Sequence, residues 1–289
     1  MRANQYIGIF YGGDVFFKNN LTGYLSDNNS TVLKSIDGGN TWNEMLSHGR
    51  SIRAANIAVT GDGKAFFVNN YEDSIYRTLD GGINMAGYNL GGAKISDIFF
   101  SDNNAGLCST DIGLFSTTNG GNSWNNIIPL TGLANNSSSG LFMFDNTTAW
   151  VIYNNKVLHA NGNFSTWHLD SVATTINLTF SSVYATSATV VYISSVTGFL
   201  YKSTDGGTTF NLLKKLDNVW NSQYISDIHF VNATTGYMSL GSRIYKTIDS
   251  GNTWSVIVAL ASTDIIEIHF SDATHGWACC FDGTVLKYN

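Results

Sequence analysis

The sequence predicts an all-β fold, a seven-bladed β-propeller built from four-stranded antiparallel blades. Three observations predict it: a hairpin motif that recurs six times, a pair of apolar strands that recurs seven times, and a spare strand near the N-terminus. The acidic or amide position of the motif is occupied in turn by Asp37, Asp80, Asn119, Asn161, Asp205 and Asp249. The successive spacings of 43, 39, 42, 44 and 44 residues match the length of one propeller blade.

The motif reads Ser-x-Asp-Gly-Gly-x-Thr-Trp in its fullest copy, which begins at Ser35. Its Asp carboxylate can accept hydrogen bonds from the backbone of its own turn, and its glycines supply the positive φ angles of a tight hairpin. Its aromatic residue begins the next strand and offers a large apolar face for burial. We therefore predict a structural role for Asp37, Trp42, Asp80, Asn119, Trp124, Asp205, Asp249 and Trp254.

Seven units of four strands follow one another along the chain. Each has an apolar strand, an Asn/Asp/Thr/Gly turn and a second strand; a third strand precedes the motif, and the fourth begins at the aromatic residue. The units begin near Asp14, Asn56, Asp97, Leu141, Val183, Asp227 and Glu267. The last unit stops at its third strand, so we expect residues 5–10 to complete it and close the ring. We expect one domain over residues 1–289.

The composition argues against several classes of partner. Charged residues make up 12% of the chain, the net charge is −6, and the 15 Lys and Arg form no basic run, so nucleic-acid binding is not expected. No apolar stretch is long enough to cross a bilayer, and membrane insertion is not expected either. A surface rich in Asn, Ser and Thr is typical of an exported bacterial protein. We expect an extracellular, periplasmic or cell-surface location with the export signal removed; a cytoplasmic location is the alternative.

The three cysteines are expected to be free, partly buried thiols. Cys108 lies in the third unit, and Cys279 and Cys280 lie in the seventh, several blades away. Neighbouring residues of one strand point to opposite faces of the sheet, so Cys279 and Cys280 cannot pair with each other.

The motif resembles the Asp-box, also called the bacterial neuraminidase repeat. The run from Phe270 to Ala278, followed by Gly283 to Leu286, is similar to the repeat of the photosystem II stability and assembly factor family. This resemblance implies a seven-bladed propeller whose boxes lie at the periphery of the blades and serve the fold. Asp-boxes occur both in enzymes, such as sialidases and xyloglucanases, and in non-enzymatic assembly factors, so the resemblance leaves the activity open.

A glycoside hydrolase of the sialidase or xyloglucanase kind is the enzymatic alternative. Asp14, Asp227 and Glu267 occupy equivalent positions at the beginning of neighbouring units, and Asp97 is their equivalent in the third unit. Two carboxyl groups across a cleft are what glycoside hydrolysis requires, and their repulsion would raise one pKa. In the competing interpretation these acids bind backbone N–H groups where each strand begins. The Arg-Ile-Pro motif of sialidases is absent, because the single proline, Pro129, follows two isoleucines.

His229 and His269 are also equivalent, two residues further along the first strands of units six and seven. The other units place Phe16, Ala58, Phe99 and Met143 there. Two facing histidines could bind a metal, but no third ligand accompanies them, and a position that accepts Phe and Met indicates packing. We therefore predict no metal and no cofactor.

The connections that lead into the first strands should gather on one face of the disc. They carry the candidate binding residues His48, Arg50, Arg53, Lys94, Trp220, Tyr224 and Asp264. Exposed Trp, Tyr and Arg are favoured at binding hot spots, although Trp220 and Tyr224 could instead pack against a neighbouring blade. We predict a non-catalytic binding or assembly module that holds a protein partner or an extracellular glycan through this face.

Overall fold

Seven four-stranded antiparallel sheets form a ring in this computed structural model, which confirms the predicted seven-bladed propeller. The structure describes residues 2–6, 13–26, 32–45, 56–68, 73–129, 138–153, 156–162, 164–172, 178–216 and 224–288. Six sheets use four strands that are consecutive in the chain, and the seventh joins the last three strands to the first. The first strands of successive sheets contact one another all round, so the ring is closed.

The described residues contain 28 strands. They are β1 (Arg2–Tyr6), β2 (Val15–Phe17), β3 (Gly23–Ser26), β4 (Val32–Ser35), β5 (Asn43–Glu44), β6 (Asn56–Val59), β7 (Ala65–Val68), β8 (Ser74–Thr78), β9 (Ala86–Asn89), β10 (Ile95–Phe100), β11 (Gly106–Thr110), β12 (Gly113–Thr117), β13 (Asn125–Pro129), β14 (Ser138–Met143), β15 (Ala149–Tyr153), β16 (Lys156–Ala160), β17 (His168–Ser171), β18 (Phe180–Ala185), β19 (Val191–Ser195), β20 (Phe199–Ser203), β21 (Asn211–Lys215), β22 (Ile225–Phe230), β23 (Gly236–Leu240), β24 (Arg243–Thr247), β25 (Ser255–Ala259), β26 (Ile265–Phe270), β27 (Gly276–Cys280) and β28 (Thr284–Tyr288). Blade one is β2–β5, each next blade takes the following four strands, and blade seven is β26–β28 with β1.

The ring is closed by antiparallel pairing of β1 with β28. Arg2 lies opposite Lys287 and Tyr6 opposite Thr284, with a shift of register between Ala3 and Gln5. The closing strand thus lies at Arg2–Tyr6, three residues earlier than predicted, and residues 7–10 lie outside the described residues. The apolar pattern of residues 6–10 suggested the later position, whereas the observed register is that of the backbone pairing between Arg2–Tyr6 and β28.

Stacked aromatic rings join neighbouring blades. Trp277 in the second strand of blade seven stacks on Phe17 in the first strand of blade one, with ring centroids 3.5 Å apart and planes 5° from parallel. The same second-to-first-strand contact joins three further pairs of blades through Phe66–Phe100, Tyr192–Phe230 and Tyr237–Phe270. The core is therefore divided into clusters that lie between successive sheets and hold the blades at fixed angles.

The hairpin motif folds as a turn that bonds to itself. In blade one the Ser35 hydroxyl donates to Asp37 Oδ1 (2.9 Å) and accepts the N–H of Gly39 (2.8 Å). The Asp37 carboxylate accepts the N–H and the hydroxyl of Thr41, at 2.9 and 2.6 Å, and these bonds lower the pKa of Asp37 to about 2. The same backbone bonds form around Asp80, Asn119, Asp205 and Asp249.

Several of these turns are also hydrogen-bonded to the preceding blade. Trp277 donates its Nε1–H to the carbonyl of Gly38 (3.0 Å), and Trp150 donates to the carbonyl of Gly206 (2.7 Å). Gly207 has a φ of +103°, and a Cβ on it would lie 2.8 Å from Trp150 Nε1. The approach of the indole therefore requires a residue without a side chain at this position. Each such hydrogen bond links a motif turn at the rim of one blade to a buried side chain of the preceding blade.

The three cysteines are free and buried, as predicted. Cys279 packs in the cluster between blades seven and one, and Cys280 packs in the cluster between blades six and seven, on the opposite face of the same strand. Within the described ranges, no helix is both long and apolar enough to cross a membrane.

Candidate functional site

A cavity of about 680 Å³ lies at the axis of the ring, where the first strands of all seven blades converge. The residues of the first strands that line it, with the positions just before them, are Gly13–Phe16, Asn56–Ile57, Asp97–Phe99, Gly140–Phe142, Phe180–Tyr184, Ser226–His229 and Ile266–His269. Thr179, Val196 and Tyr224 line it at the face where the first strands begin, which we call the upper face. The volume falls in the range of small-molecule and side-chain pockets, about 300–1,000 Å³.

Four carboxylic acids form part of the wall, and we call Asp14, Asp97, Asp227 and Glu267 the acid ring. Asp14 is bonded to the next blade, because its Oδ2 accepts the backbone N–H of Ile57 at 2.7 Å. The structure therefore brings together the acids that the sequence placed at equivalent positions, and it gives the first of them a partner in the neighbouring sheet.

Asp97 and Asp227 repeat this link between blades. Asp97 Oδ2 accepts the N–H of Leu141 at 2.9 Å, and Asp227 Oδ2 accepts the N–H of Ile268 at 3.4 Å. The Oδ1 atom of each also accepts the N–H of the next residue in its own strand, at 2.8 and 2.7 Å. Three of the four acids thus act as clamps between a first strand and the next one around the axis.

Two polar residues that the sequence reasoning missed extend this network. Asn56 and Ser182 occupy the acid-ring position in blades two and five. Asn56 Nδ2 donates to Asp97 Oδ1 at 3.0 Å, and the Ser182 hydroxyl donates to Asp227 Oδ1 at 3.1 Å. Their equivalence to the acids in the repeat was a signal available in the sequence. Their role could not be inferred from it, because each donates a hydrogen bond to a carboxylate of the following blade.

Burial makes the acid ring hard to ionise. The pKa of Asp14 is raised to about 7, mainly by burial and further by the charges of Asp97 and Asp227, against the lowering effect of the Ile57 hydrogen bond. Burial likewise raises the pKa of Asp97 to about 6. The pKa of Glu267 is raised well above its usual range by burial and by the charge of Asp227, and the two carboxyls share a hydrogen bond. Glu267 therefore ionises less readily than a glutamate in water.

Six rings surround the axis two residues below the acids, and we call Phe16, Phe99, Phe142, Tyr184, His229 and His269 the aromatic belt. Their centroids follow one another at 5.1 Å (Phe99–Phe142), 4.5 Å (Phe142–Tyr184), 5.2 Å (Tyr184–His229), 5.0 Å (His229–His269) and 4.7 Å (His269–Phe16). Ala58 takes the seventh position and leaves the belt open in blade two.

In blade four the belt residue is Phe142. The repeat predicts Met143 at this position. Phe142 lies opposite Trp150, as His269 lies opposite Trp277. The acid-ring position of blade four is Gly140, which lies opposite Ile152 as Asp97 lies opposite Ser109, so the unit begins one residue earlier than predicted. No acid marks this position in the sequence, and the apolar pattern alone did not reveal which residue of β14 faces the axis.

The two histidines are neutral packing residues that also link blades. Burial lowers the pKa of His229 and lowers that of His269 to about 3, so neither ring is charged at neutral pH. His229 is hydrogen-bonded to the backbone of Phe270 and His269 to that of Phe17. Tyr184 makes the same kind of bond, donating to the carbonyl of Phe230 at 2.6 Å. Among the described side chains, no group of three or more His, Cys, Asp or Glu is arranged to hold a metal ion.

The predicted binding-face residues are only partly brought together. Tyr224 lines the mouth of the cavity, and the charge of nearby Asp264 contributes to the raised pKa of its phenol, after burial. Lys94 is exposed just before β10, where its backbone N–H donates to Asp111 at 2.8 Å. His48, Arg50, Arg53 and Trp220 lie outside the described residues.

The acid ring and the belt histidines shift the stability of the fold with pH in opposite senses. The folded-state pKa values of Asp14 and Asp97, about 7 and about 6, exceed the usual value for Asp of about 4, so these two acids stabilise the folded chain at low pH and lose that contribution as the pH rises toward 7. The folded-state pKa values of His229 and His269 lie below the usual value for His of about 6.5, so these rings favour unfolding at acidic pH and cease to do so as the pH rises to about 6.5. The motif carboxylates, whose pKa values of about 2 are depressed by folding, likewise stabilise the fold less below pH 4.

Thermal unfolding followed by circular dichroism from pH 3 to 8 measures this balance. We expect Tm to change little between pH 4 and 6, where the acids and the histidines oppose each other, and to decline from about pH 6.5 to 8. The Asp14→Asn variant keeps an oxygen for the Ile57 N–H and removes only the contribution of Asp14, so the Tm of the unaltered chain should fall relative to that of the variant between pH 4 and 8. A difference in Tm between the two chains that stays constant over this range would show that Asp14 is not buried as described.

No family model matches this chain, and no curated protein matches it. Among solved structures, YCF48 from Cyanidioschyzon merolae is 19% identical, with 97% of this chain and 95% of that chain covered at a TM-score of 0.75. A structure of YCF48 bound to D1 peptide is 17% identical, with coverage of 98% and 93% and a TM-score of 0.80. A GH74 xyloglucanase from Xanthomonas campestris is 13% identical, with 98% of this chain but 53% of that chain covered at a TM-score of 0.76. At these identities the likeness shows the propeller fold.

Proposed function

We propose that this propeller is a non-catalytic binding module that holds a segment of a protein partner against the upper face, where the axial cavity opens. One observation carries the proposal: the acids in the wall of the cavity are bonded to the backbone of the next blade. Asp14, Asp97 and Asp227 each accept a main-chain N–H from the neighbouring first strand. Carboxylates used in this way give the ring its shape and leave a rigid concave surface.

A rigid cavity favours binding because little conformational entropy is lost when a ligand enters it. The belt rings and the strands that carry them are held by bonds between blades, such as the one from Tyr184 to Phe230. The similarity in fold to YCF48 bound to D1 peptide supports a peptide segment as the occupant. A protein partner is therefore favoured here over an extracellular glycan.

The proposal extends to the repeat and to the cellular location. We propose that the motifs around Asp37, Asp80, Asn119, Asp205 and Asp249 are Asp-boxes, and that the chain is similar in role to the photosystem II stability and assembly factor family. The self-bonded turns described above support the first point. We further propose that the protein works outside the cytoplasm, on the basis of its low charge and its Asn-, Ser- and Thr-rich composition.

Selection from a random peptide display library against the purified full chain tests the binding role. We expect enriched peptides whose affinity falls about tenfold or more for Tyr224→Ala, because Tyr at a cavity mouth is typical of a binding hot spot. Phe144→Ala is the matched control, since Phe144 is an exposed aromatic residue at the end of β14, on the opposite face. Peptides that lose affinity equally for both variants, or no enriched peptides at all, would contradict the proposal.

A glycoside hydrolase is the second candidate, and the Glu267–Asp227 pair is the observation that favours it. The pKa of Glu267 is raised by burial and by the neighbouring Asp227, as that of a general acid would be, and the GH74 xyloglucanase shares the fold. Assay of xyloglucan oligosaccharides with the full chain and with Glu267→Gln separates the two candidates. We expect no turnover above that of the variant; turnover that Glu267→Gln removes would establish the hydrolase.

A further inference from the structure

We propose that the axial cavity receives a basic side chain, a Lys ammonium or an Arg guanidinium, of the segment that binds the upper face. This inference rests on the proposed function and names the chemistry of its partner. It stands on three features of the described cavity: the sign of its charge, the rings at its deep end, and the Glu267 carboxyl, which accepts no backbone hydrogen bond from the described residues.

The described wall of the cavity can carry negative charge and holds no positively charged side chain to balance it. The acid ring contributes four carboxyl groups, while no Lys or Arg is among the described lining residues. The histidines of the belt are neutral at pH 7, as their lowered pKa values require. An anionic ligand would be repelled, and an apolar ligand would exclude water from the carboxyl oxygens that line the cavity, which is costly. A cation removes both difficulties.

The aromatic belt provides a second set of contacts for a cation. Its rings lie two residues beyond the acids on the same strands, and a strand rises about 3.3 Å per residue, so the two levels are roughly 6–7 Å apart. A cation between the two levels lies roughly 3 Å from each along the axis, which is within the distance of about 6 Å over which cation–π attraction acts. The alkyl part of a Lys or Arg would then pass the apolar residues above, such as Ile266 and Val196.

The carboxyl oxygens of Glu267 can accept hydrogen bonds from a cation. Asp14, Asp97 and Asp227 accept backbone N–H groups, but for Glu267 the described residues provide no such donor, and its partner is the carboxyl of Asp227. The carboxyls of Glu267 and Asp227 lie next to each other in the wall, so a bound ammonium or guanidinium can donate hydrogen bonds to both.

Titration of the full chain with n-butylammonium and n-butylguanidinium tests the chemistry directly, with n-butanol as the neutral probe. Binding is followed by the shifts of the His229 and His269 ring signals in NMR spectra. We expect saturable binding of at least one cation and none of n-butanol. Equal responses to all three probes would overturn the inference, because the cavity would then select for the alkyl chain alone.

Two variants locate the binding site. Glu267→Gln should weaken cation binding at least about fivefold, the usual effect of losing one charge-assisted hydrogen bond. Glu44→Gln is the matched control, since Glu44 is exposed on β5, away from the cavity, and should bind as the unaltered chain does. Phe99→Leu, which removes a belt ring, is a second variant in case Glu267→Gln alters the fold. Unchanged binding in both cavity variants would refute the inference.

The peptides from display selection separate this inference from the proposed function. Peptides that bind the upper face and lose affinity when their Lys or Arg is replaced by norleucine or citrulline would support both. Peptides that bind this face without needing a basic residue would retain the binding role and overturn the inference. Cation binding that depends on Glu267, without any peptide selected, would instead indicate a site for free amines and would overturn the protein-binding role.

Discussion

Deletion of residues 1–6 is expected to lower the stability of the propeller markedly. These residues include β1, whose pairing with β28 supplies the fourth strand of blade seven. Without β1 the edge of β28 has no partner, and the chain no longer ties blade seven to blade one at the rim. The two strands pair at four positions, and losing the hydrogen bonds of this ladder costs roughly 4 kcal/mol, which corresponds to about 7 °C in Tm for a chain of this size.

A circular permutant provides the control for this deletion. In it, residues 2–6 follow Asn289 through a short turn and the chain begins at Gly13, so blade seven is built from four consecutive strands like the other six. We expect the permutant to unfold close to the Tm of the unaltered chain, as measured by differential scanning calorimetry. A deletion variant with the Tm of the full chain would show that the closing strand contributes nothing.

Trp277→Ala should cause a loss of stability of similar size. The Trp277 side chain is fully buried, stacks on Phe17 with centroids 3.5 Å apart, and donates Nε1–H to the carbonyl of Gly38 at 3.0 Å. Its removal leaves a cavity between blades seven and one and an unpaired carbonyl, at a cost of about 3–5 kcal/mol in the free energy of unfolding. Because both contacts cross the place where the ring closes, the loss also weakens the closure.

Two further variants separate the contributions of Trp277. Trp277→Phe keeps a ring against Phe17 and should cost about 1–2 kcal/mol for the lost hydrogen bond. Trp254→Ala removes a half-buried indole that donates to Gly251 within its own motif turn, and should cost less than Trp277→Ala. Urea denaturation gives all three values. Equal losses for the two alanine variants would mean that stacking between blades is not what distinguishes Trp277.

The sequence alone determined the features that depend on neighbouring residues. The number of blades, their approximate boundaries and the turns of the motif could be predicted, because the contacts within each hairpin and turn join residues a few positions apart. Asp37 bonds to Ser35 and Thr41, two and four residues away, and these contacts recur wherever the same letters recur. The equivalence of Asp14, Asp97, Asp227 and Glu267 was also visible in the repeat.

Only the tertiary structure decided what the equivalent residues do. Asp14 bonds to Ile57, Asp97 to Leu141 and Asp227 to Ile268, each in the following blade and more than 40 residues away. The belt position of Phe142, the register of β1 on β28 and the raised pKa of Asp14 likewise depend on which sheets meet at the axis. Local patterns encode the strands and turns of one blade, whereas burial and charge at the axis arise only when seven blades enclose a common space.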